Sequence, residues 1–307
     1  MSRRRMSALV LTAAVAAVSM AAPAHAGTSG ALFGASVSAT SGETFSDAVA
    51  RQDARYGTPT PMPISRVFYS GGAQPWPGKA GASGRPVVVS FKYAPAEVLK
   101  GTYDTALSSF FAGAPKNYDV FWSYLHEPED DVARGEFTAA DYRGAWQRIA
   151  GLAGAAAAQT GNIHLRSTLI LMCYTVNTAS GRNWRDYYVP AAQSMLAFDC
   201  FNHAGKNNRY GDPSNLFRPV TDWSAANPTL AWGIAEFGST LSSTDTSGSN
   251  RAAWLRSAGT FLAGQHAAKP NSAVFGLYFD TVGPSGTDYR LTDSPSQNAW
   301  RDVVQGY

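Results

Sequence analysis

The sequence predicts an α/β fold, a single-domain (β/α)8 TIM barrel. Eight short apolar runs recur along the chain, and most of them are continuously apolar instead of alternating. Continuous runs are expected for parallel strands that are covered on both faces. Helical patterns lie between several of these runs, and a strand followed by a helix, repeated eight times, is typical of this barrel.

The predicted strands, in chain order, are residues 32–36, 64–69, 86–91, 120–125, 168–176, 196–201, 230–234 and 274–279. A doubly wound sheet is the alternative, but neither a Gly-x-Gly-x-x-Gly fingerprint nor a Walker loop follows the first run. The loops at 71–85 and 239–250 each follow a predicted strand. In a barrel, such loops belong to the catalytic face.

Three helices are predicted most clearly. One begins at Thr138, a residue type suited to capping, and continues at helical spacing to Gly161. A second runs from about Asn250 to just before Pro270, and a third covers residues 294–304. These helices separate predicted strands, as a barrel requires.

The first 26 residues have the pattern of a secretory signal peptide. Arginines at positions 3–5 precede an apolar stretch at 8–22, and small residues at 24–26 suit cleavage. We therefore expect residues 27–307 to form one secreted catalytic barrel. The apolar stretch is shorter than the roughly 20 residues of a membrane span, and no later stretch reaches that length, so no membrane partner is predicted.

Charge argues against a nucleic-acid partner. The chain has 25 Lys and Arg against 22 Asp and Glu, and three of the arginines lie in the leader. The mature chain therefore has 22 of each sign and lacks the basic surface that nucleic acids or anionic lipids require. We expect a monomer.

Export permits disulfides, and Cys173 and Cys200 are the only cysteines. They lie in neighbouring predicted strands, so a bridge is geometrically plausible. Two buried free thiols are the alternative, because a sequence does not supply the Cα separation that a disulfide requires.

Two glutamates each follow a short apolar run, Glu127 at the predicted fourth strand and Glu236 at the seventh. A buried carboxylate is costly unless it is paired, hydrogen-bonded or used in chemistry. Because the carboxyl ends of barrel strands form the active-site face, the two side chains are expected at one rim. Two such carboxyls suit glycoside hydrolysis, one as acid and one as nucleophile.

The motifs around these glutamates resemble glycoside hydrolase clan A, and within it family 26, which contains β-mannanases and related endoglycanases. The resemblance rests on His126-Glu127, on the segment 234–238, and on the segment 184–190 leading into Phe198-Asp199. It implies a secreted retaining endo-β-glycosidase that acts on a β-linked polysaccharide by double displacement. It also implies that Glu127 is the general acid/base and Glu236 the nucleophile. His126 is placed to contact the substrate or to orient a carboxylate, and a satisfied structural histidine is the alternative.

Two positions depart from the family pattern. Ser123 stands where the family has an arginine, and Phe201-Asn202-His203 stands where it has a tyrosine, with Tyr210 as a candidate substitute. These differences leave the glycan open and sustain a second hypothesis, a catalytically silent barrel that binds carbohydrate. A third is another hydrolase or a lyase that uses the same two carboxylates.

Further side chains are candidates for contacting a poly- or oligosaccharide. Aromatic rings in loops after strands can stack on sugar rings, and Trp76, Trp184 and Tyr187 lie in such loops. Ordinary packing is the alternative for each of them. Five other tryptophans, at 122, 146, 232, 254 and 300, fall in strands or helices and are predicted to be core. The polar candidates that close predicted strands are Lys92, Asn202, His203 and Asp280. The alternative for each is a structural role, capping a helix or satisfying a loop backbone.

No cofactor and no metal site are predicted. The acidic segment 129–131 could supply calcium ligands, but it has no glycine-spaced calcium loop, so a solvated loop is favoured. The histidines outside the leader share no close zinc-ligand spacing. A Gly-x-Ser-x-Gly elbow is also missing from the sequence, which argues against a serine hydrolase.

Overall fold

The structure, a computed structural model, describes residues 30–307, and it confirms the (β/α)8 barrel. Eight parallel strands close into a barrel in sequence order, with β8 paired to β1. The strands are β1 (Leu32–Ser36), β2 (Ile64–Phe68), β3 (Val87–Phe91), β4 (Val120–Tyr124), β5 (Leu165–Met172), β6 (Met195–Asn202), β7 (Ala231–Ser239) and β8 (Phe275–Tyr278).

Ten α-helices surround the barrel within residues 30–307. They are α1 (Phe45–Tyr56), α2 (Gly78–Gly81), α3 (Pro95–Lys100), α4 (Asp104–Gly113), α5 (Glu129–Ala133), α6 (Ala139–Thr160), α7 (Ala204–Asn207), α8 (Pro213–Ala226), α9 (Ser249–Ala268) and α10 (Ser294–Gly306). Helix α6 begins with the predicted cap. The Thr138 side chain accepts from the Asp141 backbone amide, and the helix ends at Gly161 with a left-handed φ of 70°.

Side chains on the two faces of the strands form two apolar layers. The smaller layer fills the barrel interior with residues such as Ile64, Phe121, Ala197 and Ala235. The larger layer lies between the strands and the helices. The five tryptophans predicted to be core belong to it and are at most 4% exposed: Trp122, Trp146, Trp232, Trp254 and Trp300.

Two strands differ from their predicted bounds. Strand β5 starts three residues earlier than predicted, because Arg166 and Ser167 pair with β4 despite being polar. It also ends earlier, where the chain turns into a 3₁₀ helix at Cys173–Val176. Strand β7 continues to Ser239, so Glu236 lies inside this strand instead of ending it.

Cys173 and Cys200 are bridged, which settles the alternative left open by the sequence. Their Cα atoms are 5.2 Å apart, within the range of protein disulfides. The bridge joins the end of β5 to β6, the strand that lies beside Glu236. It therefore fastens two strands of the barrel close to their carboxyl ends.

The predicted signal peptide at residues 1–26 lies outside the described residues, and secretion stays a prediction. None of the helices between residues 30 and 307 is long and apolar enough to cross a membrane.

Candidate active site

Glu236 faces the barrel interior because β7 contains an irregularity. Phe198 of β6 pairs with Ile234, whereas the next residue, Asp199, pairs with Glu236, so Ala235 is an extra residue on β7. A bulge of this kind re-aims the side chains that follow it. Ala235 joins the interior layer, and Glu236 can then face the interior as well. A regular strand would direct it toward the helices.

Arg66 holds Glu236 from across the barrel. This β2 side chain is fully buried, and its Nη2 donates to Glu236 Oε1 at 3.0 Å. Its Nη1 donates to the backbone carbonyls of Val67 and Val88, and its guanidinium lies 4.0 Å from the centre of the Phe68 ring. These contacts fix the cation in one orientation. No hydrogen bond to Glu236 Oε2 is found among residues 30–307, so this oxygen is available for chemistry.

Glu127 lies three residues beyond β4, on a sharply bent segment. Leu125 and Glu127 both have left-handed backbones, with φ of 44° and 52°, which non-glycine residues seldom adopt. The bend is held by neighbouring strands. The Leu125 amide donates to Phe91 of β3 at 2.8 Å, and the Glu127 amide donates to Ile170 of β5 at 3.1 Å. Glu127 is thereby fixed at the rim above the barrel interior.

Burial and the charge of Glu236 raise the pKa of Glu127 to about 8. Burial also raises the pKa of Glu236, but the charge and hydrogen bond of Arg66 oppose that effect. Because Arg66 favours the ionised form of Glu236, the proton of the pair belongs on Glu127. At neutral pH the Glu127–Glu236 pair thus holds one proton, which is on Glu127.

His126 lies between the two glutamates in sequence and beside Glu236 in space. Its Nε2 is 3.9 Å from Glu236 Oε1, and its ring is 5.8 Å from that of Phe68. Burial, together with the positive charges of Arg66 and Lys92, lowers the pKa of His126 well below its usual value. The imidazole is therefore neutral and can both donate and accept a hydrogen bond.

Three other predicted polar candidates lie at the same face. Lys92 follows β3 and is exposed. Its positive charge opposes the rise in the pKa values of Glu127 and Glu236. Asn202, at the end of β6, donates to Ser239 Oγ at 2.9 Å. His203 Nδ1 lies 3.5 Å from the hydroxyl of Tyr289. The structure therefore brings Lys92 close to the two carboxylates. It places Asn202 and His203 at the end of β6, the strand next to that of Glu236.

The three predicted aromatic platforms lie in the outer layer and not at the rim. Trp76 packs on Phe110 of α4, with ring centres 5.5 Å apart. Trp184 is buried against Trp223 of α8 at 5.6 Å. Tyr187 is buried against Tyr142 of α6 at 5.9 Å. The connection from β5 to β6 descends along the helices, which removes Trp184 and Tyr187 from the site.

The predicted substrate contacts of Tyr210 and Asp280 are also wrong, because the polar groups of both residues form hydrogen bonds within the fold. The Tyr210 hydroxyl donates to Asp245 at 3.0 Å and accepts from the Ser242 amide at 3.1 Å, so it does not substitute for a tyrosine at Glu236. Asp280 accepts four hydrogen bonds from other parts of the chain, which leaves it no free capacity for a sugar. The donors are Gln52, Arg55, Tyr56 and the Leu291 amide.

The acidic segment 129–131 begins helix α5 instead of forming a solvated loop. Glu129 is buried, and its Oε1 accepts from the Met172 amide at 2.9 Å and from Thr175 Oγ1 at 2.6 Å. Asp130 pairs with Arg182 at 2.8 Å. Within residues 30–307, no group of three or more His, Cys, Asp or Glu side chains is arranged to hold a metal ion.

Sequence reasoning did not select three residues of this site: Arg66, Asp199 and Tyr289. Arg66 and Asp199 are the charged residues of two mostly apolar strands, and this pattern could have identified them. Tyr289 comes from the loop after β8. Its buried ring lies 4.7 Å from that of Phe201, and the charge of Glu127 adds to the burial that raises its pKa. No sequence pattern marks this tyrosine.

The sequence matches no protein-family model and no curated protein. Among solved structures, the chain is similar to a ruminal family 26 endo-β-1,4-mannanase, with a TM-score of 0.53 and 12% identity. That match covers 90% of this chain but 63% of the mannanase, so the chain spans less than two thirds of that protein.

Two further structures come from other families. One is a family 128 endo-β-1,3-glucanase from Sorangium cellulosum, with a TM-score of 0.57, 12% identity, and coverage of 89% of this chain and 98% of that one. The other is a family 5 xyloglucan-specific endo-β-1,4-glucanase from a metagenomic library, with a TM-score of 0.52, 13% identity, and coverage of 88% and 95%. At this identity the likeness shows the barrel fold, and it does not single out family 26.

Proposed function

We propose that this chain is an exported, retaining endo-β-glycosidase that hydrolyses a β-linked polysaccharide. The observation that carries the proposal is the pairing of Glu127 with Glu236. One has a pKa raised to about 8, and the other is held by a buried arginine. A retaining glycosidase needs such a pair, an acid that keeps its proton and a carboxylate that attacks. The leader-like residues 1–26 support export.

In the first step, Glu236 Oε2 attacks the anomeric carbon as the bond from that carbon to the leaving oxygen breaks. Glu127 transfers its proton to the leaving oxygen, which departs as a hydroxyl group. In the second step, Glu127 takes a proton from water, and the water oxygen displaces Glu236 from the anomeric carbon. Glu127 thereby recovers its proton, and the product has the configuration of the substrate.

Arg66 and the rim residues would support these steps. The guanidinium keeps Oε1 occupied, so that Oε2 points toward the sugar, and it favours the ionised nucleophile. Neutral His126 and exposed Lys92 are placed to hydrogen-bond sugar hydroxyls. Tyr289 and Phe201 offer aromatic surface at the same face, in place of the platforms predicted from sequence.

The substrate test is a panel of β-1,4-mannan, β-1,3-glucan, xyloglucan and β-1,4-glucan, chosen because the similar structures include enzymes named for such glycans. We expect hydrolysis of at least one, with shorter oligosaccharides as early products and the β-anomer released first. NMR of the fresh products gives the configuration. An α-anomer released first would contradict the nucleophile assignment. Measurable binding without turnover on any member would favour the silent carbohydrate-binding barrel.

Replacing Arg66 with methionine tests the state of the nucleophile. Methionine keeps much of the apolar bulk but removes the charge and the donor, so the pKa of Glu236 should rise. We expect kcat to fall about 10- to 100-fold, the effect of one lost charge-assisted hydrogen bond. The acidic limb of the pH profile should also move to higher pH, because more alkaline conditions are then needed to ionise Glu236.

Measuring kcat/KM against pH on the substrate found by the panel checks this prediction. Arg256→Met is a matched control, since that arginine is exposed and pairs with Asp302 on the outer helices. An acidic limb that stays in place in Arg66→Met would show that Arg66 does not control the ionisation of Glu236.

A further inference from the structure

Asp199 is a third carboxyl group in the barrel interior, beside those of Glu127 and Glu236. It is 4% exposed, and neither of its carboxyl oxygens has a hydrogen-bond partner among residues 30–307. Buried polar atoms nearly always have partners, and an ionised carboxylate without one is especially costly. This group therefore requires a physical explanation.

The strand register places Asp199 directly beside Glu236. The two residues are partners in adjacent parallel strands, immediately after the irregularity in β7. Phe198 and Cys200, on either side of Asp199, belong to the outer layer, so Asp199 faces the interior. Adjacent strands are about 4.8 Å apart, which puts the two carboxyl groups within reach of each other.

The charges around Asp199 are mostly negative. Glu236 of β7 and Glu129 of α5 disfavour a further negative charge there, as Glu127 beyond β4 does once it is ionised, and burial acts in the same direction. Arg66 of β2 is the cation whose charge opposes this effect, but its recorded hydrogen bonds go to Glu236, Val67 and Val88. Lys92 is exposed, and His126 is neutral. Together these effects raise the pKa of Asp199 well above its usual value.

We propose that Asp199 is a positioning residue that remains a neutral carboxylic acid and donates its proton in a hydrogen bond to the carboxylate of Glu236. As a neutral acid it is a donor, and Glu236 is the nearest acceptor by register. Glu236 is then held from two directions, by Arg66 across the barrel and by Asp199 on the neighbouring strand. This inference rests on the proposed function only for its catalytic consequence. The hydrogen bond itself exists with or without turnover.

Infrared spectroscopy tests the hydrogen bond without turnover, because a protonated carboxyl absorbs apart from an ionised one. Glu127→Gln removes the protonated carboxyl of Glu127 from the spectrum, and the Asp199 band is then measured as a difference between variants that share this background. At neutral pH we expect a protonated-carboxyl band that is lost on adding Asp199→Asn and that shifts on adding Glu236→Gln. If adding Asp199→Asn leaves the protonated-carboxyl region of the Glu127→Gln spectrum unchanged and removes intensity from the carboxylate region instead, Asp199 is ionised and the proposal is overturned. If the position of this band does not change on adding Glu236→Gln, Asp199 does not donate a hydrogen bond to Glu236.

Kinetics test the positioning role. Asp199→Asn keeps a donor of similar shape, whereas Asp199→Leu keeps similar bulk without a donor. We expect kcat of the leucine variant to be about 10- to 100-fold below that of the asparagine variant, the effect of one hydrogen bond to a charged group. Both variants should unfold at similar temperatures. Equal kcat values in two folded variants would reduce Asp199 to a packing residue.

The alkaline limb of the pH profile gives an independent measure. If Asp199 is already neutral, Asp199→Asn removes no charge, and the limb set by Glu127 stays in place. If Asp199 is ionised in the active enzyme, its removal lowers the pKa of Glu127 and moves that limb to lower pH, which would overturn the proposal. Failure of the proposed function would instead appear as a wild-type protein that hydrolyses no glycan but still shows the Asp199 band.

Discussion

Replacing Glu236 with alanine is expected to lower kcat on the order of 10⁴- to 10⁶-fold, the largest effect of any single substitution in this chain. The variant loses the oxygen that attacks the anomeric carbon, and no other described carboxylate can take its place. Glu127 is protonated at neutral pH, and Glu129 is engaged by Met172 and Thr175. The measurement is the initial rate on the substrate identified by the glycan panel.

Chemical rescue distinguishes a lost nucleophile from a lost fold. The truncated side chain leaves space beside Arg66, whose positive charge can hold a small anion such as azide. Azide should attack an activated β-glycoside in Glu236→Ala and yield the α-glycosyl azide, because only one displacement then occurs. Glu97→Ala on α3, where Glu97 pairs with Lys100 outside the barrel, is the control and should need no rescue. Wild-type rates in Glu236→Ala would refute the nucleophile role.

The sequence predicted the barrel because its parallel strands are short and almost wholly apolar. The bounds of β1 agree with the prediction at both ends, and those of β2, β3 and β4 differ by a single residue at one end. The predicted seventh strand ends five residues before β7 does in the structure. Its second half contains a glutamate, a glycine and a serine, which do not continue an apolar pattern, although the pairing with β6 extends to Ser239.

The two glutamates were predictable because strand ends converge in this fold, but their environment was not. Arg66 and Glu236 are 170 residues apart, and they meet only because β2 lies across the barrel from β7. Local periodicity also does not indicate the irregularity at Ala235. A regular alternation of side chains along β7 would place Glu236 on the outer face. Trp184 and Tyr187 were misplaced for a related reason, since the path of a long connection depends on helix packing and not on the strand that precedes it.

Replacing Glu127 with glutamine is expected to lower kcat on the polysaccharide about 10²- to 10⁴-fold, the contribution of general acid/base catalysis. Its effect on pH dependence is more specific. The pKa of Glu127 is raised to about 8, so the acid form is present below that pH and is lost above it. Wild-type activity should therefore decline as the pH passes through about 8, and this alkaline limb should disappear in Glu127→Gln. Stopped assays across neutral and alkaline pH measure both.

The leaving group separates this role from that of Glu236. From an aryl β-glycoside with an acidic phenol, the phenolate departs without protonation, so the first step in Glu127→Gln should remain fast. The second step needs a base and becomes slow. The glycosyl-enzyme then accumulates, and KM falls together with kcat. Azide needs no base and should restore turnover, giving the β-glycosyl azide through a second displacement. An α-azide from this variant would exchange the two assignments, and equal losses of kcat/KM on aryl and natural substrates would remove Glu127 from proton transfer.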